Sequence, residues 1–282
     1  MKKRSLLVLW LLLCGACSNA PGGEAAAGAG RAAGGGPGSP ATTTRPAGGE
    51  VLTASAAQAA ARRPVGEDER RQLDRALLKA AEAGEASKVS ALLSRGADAN
   101  AVNSVRVARS PLTALMLAAV HGHVEAARVL IDKGADVNAR ADFPEGGPAA
   151  PQTGVTALMQ AAAAGDLPMV ELLVGRGADV NARDGDGVTA LMGSRDGGVI
   201  AHLLEHKADP NARDEGGNTA LILLAKHSRF GDPSAAAAVR ALLSHGADAG
   251  ARNREGETAL SVAEQTGKDD LAALLRSARG AK

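Results

Sequence analysis

TALMLAAVHGHVEAARVLIDKGADVNA, residues 113–139, is the stretch of this 282-residue chain that decides its fold. Leu115, Ala118 and Ala119 fall at i, i+3 and i+4, which is the spacing of one buried helix face. Thr113 is a favourable N-cap for the helix that follows it, and Gly134 stands where a second helix must end in a left-handed conformation. The stretch therefore predicts two short helices joined by a turn.

The same unit recurs along residues 67–282 with a period of about 33 residues. Each copy opens with Thr-Ala-Leu, and the opening residues are Arg75 (a degenerate first copy), Thr113, Thr156, Thr189, Thr219 and Thr258. The copies close on Gly-Ala-Asp-x-Asn, whose glycines are Gly96, Gly134, Gly177 and Gly246, with Lys207 in the fourth copy. We expect six repeats, with cores near residues 75–100, 113–138, 156–181, 189–211, 219–250 and 258–282.

This pattern resembles the ankyrin repeat, with Ala where that family usually has the Pro of Thr-Pro-Leu-His. The resemblance implies an all-α repeat solenoid whose helix pairs are joined by β-turn or hairpin loops. It also implies a concave groove, lined by the residues before each Thr and by the exposed end of each first helix. Both ends of the array have charged residues there, as capping repeats should.

The middle repeats place apolar residues at these groove positions. They are Leu112, Val120, Val155 and Val188, with His121 beside them. Exposed apolar residues in adjacent repeats indicate a partner-binding site. The alternative is that a β-branched residue before Thr only favours an extended turn.

Two further features are candidates for partner contact. Arg183 and Arg213 occupy one repeated position and could contact a partner. The alternative is that the Asp that follows each arginine neutralises its charge on a solvent-exposed edge. Phe143 lies in an insertion between the second and third repeats, where it is either an anchor for a partner or a cover for its own loop.

The N-terminus resembles the signal of bacterial lipoproteins. Basic residues 2–4 precede an apolar run at residues 6–13, which is too short to span a bilayer, and Gly15 and Ala16 directly precede Cys17. We expect a signal peptide at 1–16, acylation of Cys17 and a disordered tether to residue 66, because Ala, Gly, Pro, Ser and Thr dominate that segment. Ordinary signal cleavage is the alternative. Ser18 after the cysteine implies, by the same resemblance, the outer membrane.

Composition excludes several functions. A net charge of +1 and an aromatic content of 1% argue against nucleic-acid binding. We predict no metal site at His202 and His206, because His206 occupies the basic position that ends each second helix. We expect no cofactor and no catalytic constellation. The sequence predicts a monomeric, non-catalytic protein-binding module on a lipid anchor in the cell envelope, facing the periplasm or the cell surface. The alternative is an accessory or regulatory subunit of an envelope enzyme, or an unrecognised enzyme.

Overall fold

The computed structural model describes residues 66–102, 112–141, 154–229 and 231–280, and Gly66–Lys282 forms one compact unit. The predicted signal peptide, Cys17 and the tether up to residue 65 lie outside the described residues, as do Phe143 and Phe230. Within the described ranges the helices are α1 (Glu67–Glu82), α2 (Ala86–Ser94), α3 (Ala114–Val120), α4 (Val124–Asp132), α5 (Ala157–Ala164), α6 (Leu167–Gly175), α7 (Ala190–Gly193), α8 (Gly197–Glu205), α9 (Ala220–His227), α10 (Pro233–Ser244), α11 (Ala259–Gln265) and α12 (Asp269–Gly280).

The helices form six consecutive pairs stacked in two layers. The first helices of the pairs pack against one another in chain order, and so do the second helices. Alanine dominates the contacts: α3 buries six of its seven residues, including Ala118 and Ala119. Small side chains let neighbouring helices approach closely, and burial of the Leu, Val and Met side chains between them supplies the main stabilisation. The predicted all-α repeat solenoid is confirmed.

The repeated Thr caps the first helix in four of the five copies that have it. The hydroxyls of Thr113, Thr156, Thr189 and Thr258 accept hydrogen bonds from the backbone N–H three residues on, at 3.1–3.4 Å. Thr219 makes no such bond, and its buried hydroxyl has no hydrogen-bond partner among the described residues. Thr219 is therefore the N-cap residue of α9 by position but does not cap the helix through its side chain.

The second helices end in the left-handed conformation that the sequence predicts. Gly96, Gly134, Gly177 and Gly246 have φ values of 85–101°. Lys207, which replaces the glycine in the fourth repeat, keeps this conformation with a φ of 68°. Side chains with a Cβ adopt this region at a cost, so repeat four contains local backbone strain.

The helices α1 and α7 depart from the regular repeat. α1 begins at Glu67 rather than near Arg75, because the acidic residues of its first turn interact favourably with the helix dipole. α7 has four residues, and the next helix starts at Gly197, capped by the Asp196 carboxylate at 2.9 and 3.0 Å from two backbone nitrogens. A Cβ at Gly197 would lie 2.9 Å from the Cβ of Ala237. This glycine therefore permits α8 and α10 to approach closely.

In the described part of the chain, no helix combines the length and the apolar character that a membrane span needs.

Candidate partner-binding surface

Of the four predicted apolar groove residues, three are half-buried and one is buried. Leu112, Val120 and Val155 are half-buried, so part of each side chain faces solvent. Val188 is buried, with 8% of its surface exposed, and it is not a surface residue. Its N–H donates to the Asp184 carboxylate at 2.8 Å and its carbonyl accepts from the Asp184 N–H at 3.0 Å, which closes the turn around it. We therefore restrict the name "apolar strip" to Leu112, Val120 and Val155.

His121 lies at the edge of this strip, as predicted from its position. It is exposed at the C-terminus of α3, and its ring stacks on that of His123 with centroids 5.9 Å apart. His123 is held in turn, since its Nε2 donates to the Glu82 carbonyl of the preceding repeat at 3.0 Å. His121 thus exposes a ring that can donate or accept a hydrogen bond, and it stacks on a histidine that is bonded to the preceding repeat.

A polar network occupies the equivalent positions in repeats five and six. Lys226 takes the place of Val120 in the repeat, while Asn218 and Glu257 take the place of Val188. The Lys226 ammonium lies 2.8 Å from the Glu257 carboxylate and 3.4 Å from the Asn218 side-chain oxygen. Hydrogen bonds from Lys226 and Asn253 lower the pKa of Glu257. We did not predict this network, although aligning these three residues with the apolar strip would have shown the change of chemistry.

Arg140, Arg183, Arg213 and Arg252 occupy one position of the repeat, and we call them the arginine ladder. Its first three side chains bond to backbone carbonyls of the next repeat, a role that the sequence analysis did not predict. Arg140 donates to the Arg183 carbonyl, Arg183 to the Arg213 carbonyl, and Arg213 to the Arg252 carbonyl at 2.7 Å. Among the described residues no carboxylate forms an ion pair with Arg183 or Arg213, so neutralisation by the following Asp does not occur as expected. Each guanidinium instead ties one repeat to the next.

A second ladder is built from the Asn that closes each repeat. Asn181 donates to the Lys207 carbonyl at 3.0 Å and accepts from the Asp209 N–H at 2.8 Å, both in the following repeat. Asn100, Asn138 and Asn211 make the same pair of bonds. Side chains that satisfy backbone groups of the neighbouring repeat fix the spacing and angle between repeats.

The turn tips of repeats four to six carry acidic groups and are joined by backbone hydrogen bonds. The Glu215 N–H donates to the Asp186 carbonyl at 2.8 Å. Burial raises the pKa of Asp186, and the negative charges of Glu215 and Asp214 raise it further. Burial also raises the pKa of Asp184, partly offset by the N–H groups of Val188 and Asp186. The tips before repeats four and five thus bring four carboxylates close together, in the same turns as Arg183 and Arg213.

The histidine pair in α8 has a structural explanation. The rings of His202 and His206 are 4.3 Å apart, and the Nδ1 of His206 donates to the His202 carbonyl at 2.9 Å. His245 makes the same bond to Ala241 at 2.8 Å at the end of α10. His206 therefore caps the helix, as the sequence analysis proposed. In the described part of the chain no three potential metal ligands come together.

Comparison with known proteins agrees with this architecture. The family model described as ankyrin repeats (three copies) matches residues 65–141 and 189–282, and the model for a single ankyrin repeat matches residues 153–185. No curated protein matches the chain. Among solved structures, an ankyrin repeat domain from Acinetobacter baumannii AYE is similar, with 26% identity over 72% of this chain and 96% of that chain and a TM-score of 0.60.

Proposed function

The chain belongs to the ankyrin-repeat family, whose members are generally protein–protein interaction modules, and from this premise we propose that it is a non-catalytic adaptor displayed on a lipid anchor in the bacterial cell envelope. The partner is another protein, and the groove-side surface described above binds it. The array acts as a monomer and presents a rigid surface rather than a reactive group.

The change of chemistry along the groove positions is the observation that carries this proposal. Repeats two and three present half-exposed Leu112, Val120 and Val155, whereas Lys226 and Glu257 form an ion pair at equivalent positions in repeats five and six. An apolar patch bordered by polar groups is typical of protein-binding surfaces. The two ladders support the role, because a surface held rigid before binding loses less conformational entropy on association.

The envelope location rests on the sequence. Cys17 follows two small residues and a short apolar run, and a linker rich in Ala and Gly separates it from the array. As a flexible coil the linker would extend about 35–40 Å on average, which holds the array clear of a membrane surface. Tethering also raises the effective concentration of the groove near membrane-bound partners.

Replacement of Cys17 by Ser tests the anchor. We expect the wild-type protein in the membrane fraction, labelled by a fatty-acid analogue, and the Cys17→Ser protein unlabelled and released from the membrane. Equal membrane association of both proteins would show that lipidation is not the anchor.

A matched pair of carboxylate substitutions tests the binding surface. Val120→Asp places a charge on a half-exposed side chain, whereas Ala119→Asp places it at a position with no exposed surface. We expect Val120→Asp to keep helix content and lose crosslinked partners in envelope fractions, since the charge must be desolvated at the interface. Ala119→Asp should unfold repeat two, because a buried unpaired charge is expensive.

Both alternative outcomes are informative. If Val120→Asp loses as much helix as Ala119→Asp, the assignment of Val120 to the surface is wrong. If Val120→Asp folds and captures the same partner as strongly as the wild type, the apolar strip is not the binding site.

A further inference from the structure

The loops that join first to second helices in repeats four to six bring together an unusual set of basic residues. This cationic loop cluster consists of Arg195, His227, Ser228, Arg229 and Lys268. It lies in the helix-joining loops, whereas the groove positions precede the first helices, and the proposed adaptor function does not use it.

Hydrogen bonds between the elements hold these loops close to one another. The Ser234 hydroxyl, in the first turn of α10, donates to the Arg195 carbonyl at 3.4 Å. The ammonium of Lys268, with 8% of the residue exposed, donates to the carbonyls of Ala225 and Lys226 at the end of α9. These bonds fix the backbone at Arg195 and the ammonium of Lys268, while the Arg229 side chain is exposed.

The positive charges of the cluster lack carboxylate partners. Among the described residues no carboxylate oxygen lies within 4 Å of the side-chain nitrogens of Arg195, Arg229 or Lys268. The neighbouring carboxylates of Asp196 and Asp232 cap α8 and α10 by accepting backbone N–H groups. Lys226, next to the cluster, is already paired with Glu257.

Burial, and then repulsion between neighbouring positive charges, lower the pKa values of these groups. Burial lowers the pKa of Arg195, and the charge of Arg229 lowers it further, with partial compensation from Asp232. Burial and the Arg195 charge lower the pKa of both Lys268 and His227, and Lys226 and Lys268 add to the effect on His227. Partly buried cations that repel one another are stabilised by a bound anion.

Ser228 provides an independent observation at the same place. It lies between His227 and Arg229 in the chain, only 6% of it is exposed, and its hydroxyl has no hydrogen-bond partner among the described residues. Buried hydroxyls nearly always have a partner. Of the two unsatisfied buried hydroxyls among the described residues, those of Thr219 and Ser228, only that of Ser228 lies next to a cation of this cluster in the chain.

We propose that the cationic loop cluster binds an oxyanion of the phosphate class, with Arg195, Arg229 and Lys268 supplying charge and the Ser228 hydroxyl supplying a hydrogen-bond donor. A phosphate offers several acceptor oxygens, and guanidinium groups match its geometry in a bidentate manner. The source of the phosphate is either a soluble phosphate or phosphate ester, or the headgroup of an anionic lipid.

Titration of the full-length protein with inorganic phosphate, against chloride at equal ionic strength, tests the site. We expect saturable binding by calorimetry, and a rise in the His227 pKa measured by NMR as phosphate is added, since a neighbouring anion favours the imidazolium form. Arg195→Gln and Ser228→Ala should each weaken binding by about tenfold, the effect of losing one good polar interaction with a charged ligand. Arg240→Gln is the matched control, because Arg240 is an exposed arginine of α10 without an ion-pair partner among the described residues.

The outcomes distinguish a specific phosphate-binding site from non-specific attraction of anions to positive charge. Equal effects of phosphate and chloride, equal weakening by Arg240→Gln, or unchanged affinity in Ser228→Ala would overturn the proposal. If Arg195→Gln unfolds, Arg229→Gln replaces it, because the Arg229 side chain is exposed and its charge acts on the same site. Glycerol phosphate and vesicles containing phosphatidic acid then identify the source: Arg229-dependent vesicle binding indicates a lipid headgroup, and binding of glycerol phosphate alone indicates a soluble ester.

Discussion

Replacement of Lys207 by Gly should stabilise the fourth repeat. Lys207 is the one residue other than glycine with a positive φ among those described, and it stands where four other repeats have glycine. Its carbonyl accepts from Asn181 at 3.0 Å, but this bond involves the backbone and survives the substitution. The perturbation therefore removes a side chain from a strained position and leaves the inter-repeat contact in place.

The magnitude follows from two opposing effects. The left-handed conformation costs a residue with a Cβ about 1–2 kcal/mol. The added glycine makes the unfolded chain more flexible, which costs about 0.4–1 kcal/mol. The difference favours the folded form by about 0.8 kcal/mol, equivalent to a fourfold smaller opening constant for the end of α8.

Native-state hydrogen exchange measures this effect where it acts. The amides of His206, Lys207 and Ala208 donate to carbonyls of the last turn of α8 and report its opening. Lys207→Gln is the control, because it also removes the charge near the helix C-terminus but keeps the strained φ. We expect slower exchange in Lys207→Gly and equal or faster exchange in Lys207→Gln. Equal exchange in the two variants would show that strain at this residue does not limit the stability of repeat four.

Three further predictions concern stability. Thr219→Val should be neutral or stabilising in urea unfolding, because it removes a buried hydroxyl without a partner, whereas Thr189→Val should cost about 1 kcal/mol through loss of an N-cap bond. Gly193→Ala should stabilise the fold by about 0.5–1 kcal/mol, since its Cβ would lie an ordinary 3.9 Å from the Cβ of Ala163. Gly197→Ala should destabilise the fold, because its Cβ would lie 2.9 Å from the Cβ of Ala237. A gain in stability from both substitutions would refute the argument that Gly197 permits close approach. The pKa of His227 is lowered in the folded state, so protonation of this residue disfavours the fold. The free energy of unfolding should therefore fall as the pH drops below the ordinary histidine pKa, and His227→Gln should flatten this slope. An unchanged slope would show that His227 is not the group responsible.

The fold was predictable from the sequence because its determinants are local. Thr before an Ala-Leu pair, and Gly before Ala-Asp, specify helix start and end within a few residues, and the structure places helices α3 to α6 where these signals fall. The short α7 was predictable in the same way, since Gly193 interrupts the helix pattern. The start of α1 was missed because the first repeat lacks the opening Thr.

The surface was less predictable because burial and hydrogen bonding depend on distant residues. Val188 and Val155 occupy equivalent sequence positions, but closure of the turn by Asp184 buries Val188. Arg183 looked available for a partner or for the Asp beside it, yet it binds a carbonyl 30 residues away. Such pairings follow from the stacking of repeats, which local sequence patterns do not specify.

The Asn ladder explains why both ends of the array depart from the repeat. Each Asn bonds forward to the next closing block, so the last such block has no partner to bond, and Gly250 stands in its place. The first repeat has no predecessor, and Asp74 supplies the missing acceptor by receiving the Asp98 N–H at 2.8 Å. The ladder is therefore directional, and the two ends are adapted to terminate it.

Repeat four departs from the regular repeat at both edges, with strain at Lys207 in its closing block and a short α7 at its helix-joining edge. The closing block of that repeat is tied on both sides, through Asn181 and Asn211, whereas α7 has only four residues and leads directly into the loop that carries Arg195. The helix-joining edge is tied to repeat five through the Ser234 hydroxyl, so we expect it to open separately from the closing block. An anion bound by Arg195 stabilises the closed form by an amount that grows with the logarithm of the anion concentration once this exceeds the dissociation constant. The proposed phosphate site thus lies at the helix-joining edge of repeat four, where binding stabilises the loop after the short α7.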